Sequence, residues 1–156
     1  MSEKSSRTPQ EVCVELYTAF KYKDMDRMAG RWADDAVYHS VGDGIRHIGK
    51  DAIMNYTVEG LLRPFPDVRA TTHKLVVHGD QVIMDVTAEG TQTGRFSRVT
   101  SDGGGIAEMP PTNRRIVSHA VEWFAVTDGF IVEDRIFFDR MQVLTHLGLA
   151  PQPEPA

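Results

Sequence analysis

Two consecutive segments near the C-terminal end constrain the fold more than any others. "RRIVSHAVEWFAVTDG" (114–129) and "FIVEDRIFFDR" (130–140) are strand-length, separated by an Asp-Gly turn, and largely apolar on both of their alternating faces. In the first, Ile116, Ser118, Ala120, Glu122 and Phe124 share a side opposite Val117, His119, Val121 and Trp123. In the second, Val132, Asp134, Ile136 and Phe138 lie opposite Ile131, Glu133, Arg135 and Phe137. A hairpin of this kind must be covered on both faces, which in a chain of 156 residues calls for helices on one side and a partner on the other. A homodimer through the face carrying Trp123 and Phe137 is the expectation. The same strand raises a second question. Glu122 sits between Val121 and Trp123 on the inward parity, and a carboxylate buried without a partner is costly unless it keeps its proton.

Upstream, the pattern changes from strands to helices. Residues 1–8 are polar and read as a disordered N-terminus, and "PQPEPA" (151–156) as a flexible tail. Between them, residues 9–150 read as one domain. Pro9 suits a helix start, and Val12, Cys13, Leu16, Ala19 and Phe20 recur at helical spacing. Asp24 is the cap of a second, shorter helix with Met25, Met28, Ala29 and Trp32 as its apolar stripe. "DDAVYHSV" reads as a short strand and "VGDG" as a turn. A third helix is predicted from about Asp51 to Leu62, ended by Pro64 and Pro66. "RATTHKLVVH" and "QVIMDVTAEGTQTG" flank a Gly-Asp turn as the next two strands. In the latter, Val82, Met84, Val86 and Ala88 point one way, and Asp85, Thr87 and Glu89 the other. "MQVLTHLGL" closes the domain as a helical turn, with Asp139 as its cap. Helices first and antiparallel strands afterwards predict an α+β domain with helices on one face of a sheet.

Charge and cysteine usage narrow the partners. With 17 basic and 22 acidic residues the net charge is −5, which gives no electrostatic case for nucleic acid or an anionic membrane. Cys13 is the only cysteine, so no intrachain disulfide forms; together with the lack of an apolar leader or spanning run, this predicts a cytoplasmic protein.

The stretches "KDMDRMAGRWADDAVYHS", "GKDAI", "FPDVR", "PPTNRR" and "VTDGFIVEDRIFFDRMQVLTHLG" together resemble the SnoaL-like polyketide cyclases. That group lies within the cone-shaped superfamily that also holds ketosteroid isomerases, limonene epoxide hydrolase and nuclear transport factor domains. The resemblance covers roughly residues 11 to 149. It implies three N-terminal helices across a strongly curved, mostly antiparallel sheet, a cystatin-like α+β barrel enclosing a deep apolar pocket. It further implies that Tyr38, Ser40, Met84, Val86, Ala88, Ala120, Phe124, Asp134, Ile136 and Phe138 line that pocket, with Leu16, Trp32 and Tyr56 reaching in from helices. Glu122 falls where the isomerases place an acid against the substrate oxyanion and the cyclases a histidine. Other catalytic positions depart: Ser40 stands at the isomerase base, Leu16 at its oxyanion tyrosine, and Val86, Ala88 and Ile136 at the water-activating set of the epoxide hydrolase. Ile136 also replaces the acid/base aspartate of the SnoaL-type cyclase.

Three residues remain as catalytic candidates. Glu122 among apolar walls is an acid of raised pKa, or alternatively pairs with an arginine or points into a dimer interface. Asp134, of the same parity on the neighbouring strand, is a second proton carrier or a salt-bridge partner of Arg135 or Arg115. Tyr38 is an oxyanion donor or simply packs. His39 points away from Tyr38 and Ser40. The other histidines, His47, His73, His78, His119 and His146, show no metal-ligand spacing with each other or with Cys13, and no phosphate-binding glycine loop, nucleophile elbow or dinucleotide fingerprint occurs. The glycine-rich 101–109 stretch is either a flap over the pocket or an ordinary surface loop. The reading that follows is a cofactor-free acid/base enzyme, a cyclase, isomerase or dehydratase, for a small apolar oxygenated metabolite such as a polyketide or terpenoid intermediate. An epoxide-opening enzyme and a non-catalytic small-molecule binding module are the alternatives.

Overall fold

The first helix is set by its own ends. Thr8 accepts the N–H of Glu11 through its hydroxyl, and the Glu11 carboxylate accepts the N–H of Thr8 at 2.9 Å, a reciprocal capping box ahead of α1 (Pro9–Lys21). Pro9 occupies the first turn, where a missing N–H leaves nothing unpaired. The computed structural model of the chain describes residues 7–99, 106–151 and Glu154. Most of the tail and most of the N-terminal stretch therefore fall outside the described residues, as does the 101–105 part of the glycine-rich segment. Among the described residues no helix is long and apolar enough to cross a membrane.

Asp24 accepts the N–H of Arg27 and starts α2 (Met25–Ala29), which ends at Gly30 after five residues. This corrects the placement of Trp32. It opens strand β1 (Trp32–Ser40) instead of extending a helical stripe, because the helix stops one turn short of it. A turn through Gly44, at φ +70°, leads into β2 (Ile45–Ile48), a strand not anticipated from the sequence. The third helix is likewise not uniform. It is α-helical as α3 (Lys50–Tyr56) and then widens into a π-helical turn over Thr57–Leu62. Gly60 permits this, since a Cβ there would lie 2.6 Å from the Tyr56 ring.

Strands β3 (Arg69–His78), β4 (Gln81–Thr91), β7 (Arg115–Thr127) and β8 (Phe130–Phe138) form with β1 and β2 a six-stranded sheet in the order β2-β1-β8-β7-β4-β3. Every pairing is antiparallel except β1 with β8, which is parallel. A separate hairpin of β5 (Phe96–Val99) and β6 (Ile106–Met109) flanks the glycine-rich segment and was not foreseen. Asp139 accepts the N–H of Gln142 and caps the closing helix α4 (Arg140–His146), as expected of it.

The parity of β7 is as read from the sequence: Ile116, Ser118, Ala120, Glu122 and Phe124 are buried, while His119, Val121 and Trp123 are exposed. On β8 the reading needs a correction. The register steps from Ala125↔Glu133 to Val126↔Ile131, so Val132 is an extra residue and a β-bulge. Ile131 is thereby turned inward and fully buried, away from the face of Glu133 and Phe137. Beyond the bulge Asp134 is buried, with Ile136 and Phe138 packed against the core. That core joins Val12, Cys13, Leu16 and Ala19 of α1 to the inward residues of the sheet.

Candidate active site

The acid on β7 has its partner on α1. Cys13 and Tyr17 stand one helical turn apart on the helix face turned toward the sheet, and the Tyr17 hydroxyl donates a hydrogen bond to Glu122 Oε2. Glu122 is 9 % exposed. Burial pushes its carboxyl from the ordinary 4.5 up to about 7, against the opposing pull of the Tyr17 hydrogen bond. Burial first, then the Glu122 charge and hydrogen bond, holds the Tyr17 phenol protonated well above its usual range. Burial also raises the Cys13 thiol, with Asp134 and Glu122 adding to it, so Cys13 stays a neutral neighbour of both carboxyls. The arginine and the dimer interface considered for Glu122 are not its surroundings; a phenol inside the domain is.

Asp134 is 1 % exposed, and its Oδ1 has no hydrogen-bond partner among the described residues. Burial, then the charges of Glu122 and Glu133, push it well above the ordinary carboxylate range, so it is a neutral acid with a free polar edge. Its strand register explains the coupling. Asp134 faces Phe124 on β7, two residues from Glu122 on the same side, a diagonal neighbour at about 7–8 Å between Cα atoms. Neither arginine considered as its partner takes that role: Arg135 lies 4.0 Å from Glu133, and Arg115 bonds Glu89.

Tyr38 pairs with Asp134 in the parallel register of β1 and β8, and its ring lies 5.3 Å from that of Tyr56. Tyr56 in turn stacks on His47 of β2 at 4.3 Å. Burial drives Tyr38 well above its normal value and lowers His47, so this trio is neutral. Ser40 is buried and donates to Asp43 Oδ2 at 2.9 Å. Tyr17, His47 and Asp43 were absent from the sequence-derived candidates. A tyrosine four residues after the buried cysteine was the available signal for Tyr17.

The expected pocket lining divides into two groups. Leu16, Trp32, Tyr38, Met84, Val86, Ala120 and Phe124 are buried in one cluster, with Tyr56, Ile136 and Phe138 packed on it. Ala88 is half-buried and pairs with Ala70. An opening of about 270 Å³ lies to the side, between Val14, Tyr17, Thr18 and Lys21 of α1 and Ala70, Thr72 and Leu75 of β3, with Met84 of β4 as its floor. Only Met84 belongs to the expected lining. The recess nonetheless reaches the acid. Tyr17 bonds Glu122 directly, and Met84 is the cross-strand neighbour of Glu122.

The family model described as SnoaL-like polyketide cyclase matches residues 11–147. No curated protein matches the sequence. Among solved structures, IdmH from Streptomyces antibioticus, described as a proposed polyketide cyclase, is 27 % identical with a TM-score of 0.69, over 91 % of this chain and 99 % of that one. A proposed SnoaL-like polyketide cyclase from Jannaschia Sp. CCS1 is 20 % identical with a TM-score of 0.76, over 92 % and 93 %. A limonene-epoxide-hydrolase-like (LEH-like) enzyme of M. tuberculosis is 20 % identical with a TM-score of 0.64, over 89 % and 88 %. The last two likenesses concern the fold alone.

Proposed function

Because the chain belongs to the SnoaL-like polyketide cyclase family, we propose that it is a cofactor-free general acid/base enzyme that cyclises, isomerises or dehydrates a small, apolar, oxygenated metabolite. One observation carries the reading: an acid held inside the domain at about 7, bonded by a phenol that also walls the recess. A base is most effective when its pKa lies near the working pH, because it then exists in useful amounts as carboxylate and as acid. Glu122 as carboxylate takes a carbon-bound proton beside a carbonyl and, as the acid so formed, returns it to another atom. Tyr17 donates to the carboxylate and fixes its orientation. Asp134, neutral and with an unpaired oxygen, is the group suited to donate toward the developing enolate oxygen, with Tyr38 beside it.

Deuterium incorporation from D2O into β-tetralone, followed by NMR, tests the reading without knowledge of the natural substrate. The protein should accelerate exchange, and Glu122→Gln should reduce the acceleration by at least a hundredfold while ligand binding persists. Exchange no faster than in buffer, or undiminished in the variant, would leave a binding module as the better description.

We further propose a homodimer through the outer face of β7 and β8. Trp123 is 42 % exposed there, beside Val121 and Phe137, and its indole N–H is already engaged by Gln81 Oε1 at 2.8 Å, which leaves the ring's apolar surface to a partner. Sedimentation should give a dimer at micromolar concentration and a monomer for Trp123→Asp; a monomeric wild-type protein refutes it. The single buried Cys13 thiol suits a reducing compartment, and a cytoplasmic location is proposed with it.

A further inference from the structure

The recess has an apolar body and one charged corner. Met84, Leu75, Ala70 and Val14 supply the body, while Lys21 stands at the rim, one helical turn or about 6 Å beyond Tyr17 along α1. Among the described residues Lys21 has no carboxylate partner, and its ammonium lies 5.6 Å from the centroid of the Tyr22 ring. The two hydroxyls nearby are not equivalent. Thr18 already donates to the Val14 carbonyl at 2.9 Å, so it faces an occupant as an acceptor. Thr72, on the opposite wall, makes no side-chain hydrogen bond among the described residues and has its proton to give. The corner therefore offers a cation and a hydroxyl donor to whatever enters, at the opposite end from Tyr17 and Glu122.

We propose that this recess binds a substrate carrying a carboxylate, with Lys21 and Thr72 holding that group at the mouth and the apolar, reacting portion turned inward to Tyr17 and Glu122. The assignment rests on the reading of Glu122 as the site's acid/base and adds the substrate class. It also accounts for the polarity of the site. The carboxylate stays with the lysine in solvent, while the inner acid meets only apolar and carbonyl-bearing atoms. A second anion next to Glu122 would be repelled whenever Glu122 is ionised.

Two probes of one shape separate the charge from the ring system: naphthoate and the neutral naphthamide. Calorimetric titration at low salt should show naphthoate binding the wild-type protein three- to fivefold more tightly than naphthamide, the scale of a solvent-exposed charged pair. Lys21→Met should bring the two affinities together, Lys21→Arg should keep them apart, and added salt should erase the wild-type preference. The same preference should persist in Glu122→Gln, which keeps this test independent of the acid/base assignment. Equal binding of the two probes by the wild-type protein, a preference that survives Lys21→Met, or no binding of either probe would each overturn the proposal.

Discussion

Replacing Glu122 by Gln should flatten the pH dependence of folding stability. In the folded protein Glu122 holds its proton more tightly than in the unfolded chain, since its pKa rises from 4.5 to about 7. A folded state that binds protons more strongly loses stability as pH rises. The contribution is complete below pH 4.5 and is lost as pH climbs through 7, about 3 kcal/mol at 1.36 kcal/mol per pH unit. Glutamine has nearly the same shape and no proton to lose. Urea unfolding of both proteins between pH 4.5 and 8.5 measures the effect, and the informative quantity is the difference between them at each pH. Groups common to both proteins cancel in that difference. His47, whose lowered pKa acts in the opposite sense, is one; Asp134 is not, because the Glu122 charge is among the causes that raise its pKa. The wild-type protein should lose about 3 kcal/mol relative to the variant across the range, most steeply between pH 5 and 7. Parallel curves would mean that Glu122 is ionised and well solvated in the folded protein, and the acid/base reading would lose its basis.

Two further outcomes follow from the same geometry. Tyr17→Phe removes the hydrogen bond that pulls the Glu122 pKa down, so the carboxyl signal followed by carbon NMR should titrate above 7, with a stability loss at alkaline pH of about 1.5–3 kcal/mol; an unmoved titration refutes the pairing. Gly94→Ala would set a Cβ 1.8 Å from the Arg63 carbonyl oxygen, in a backbone contact with no flexible atom to yield, and should cost at least about 2 kcal/mol in urea unfolding, whereas an unchanged midpoint would contradict the close approach of these chains.

What the sequence disclosed, and what it withheld, divides along a physical line. Alternation along β7 and β4 identified their inward residues because a strand's period of two is local and each of those strands pairs without interruption along that stretch. The caps at Asp24 and Asp139 were legible for a similar reason, since a cap bonds an N–H three residues away. Ile131 was misplaced because a bulge belongs to the pair of strands and leaves no mark on either one. Tyr17 was overlooked because α1 periodicity separates buried from exposed residues without saying which inward side chain meets an acid on β7. The short strands β2, β5 and β6 span four residues each, too few for alternation to stand out.

One irregularity in β3 bears on how such a recess changes over time. Pairing with β4 steps from Thr72↔Val86 to Lys74↔Asp85, so His73 is a supernumerary residue, tethered to Thr87 at 2.6 Å. Ala70, Thr72 and Leu75 face α1 with or without it. Loss of His73 would leave the same side chains on the wall and would remove only the local bend that an inserted residue imposes on an edge strand. Chain length at this one position is thus a control on the width of the opening, separate from the chemistry of its lining. Homologues gaining or losing a residue here can shift toward bulkier or slimmer molecules while the tyrosine and glutamate beneath stay as they are.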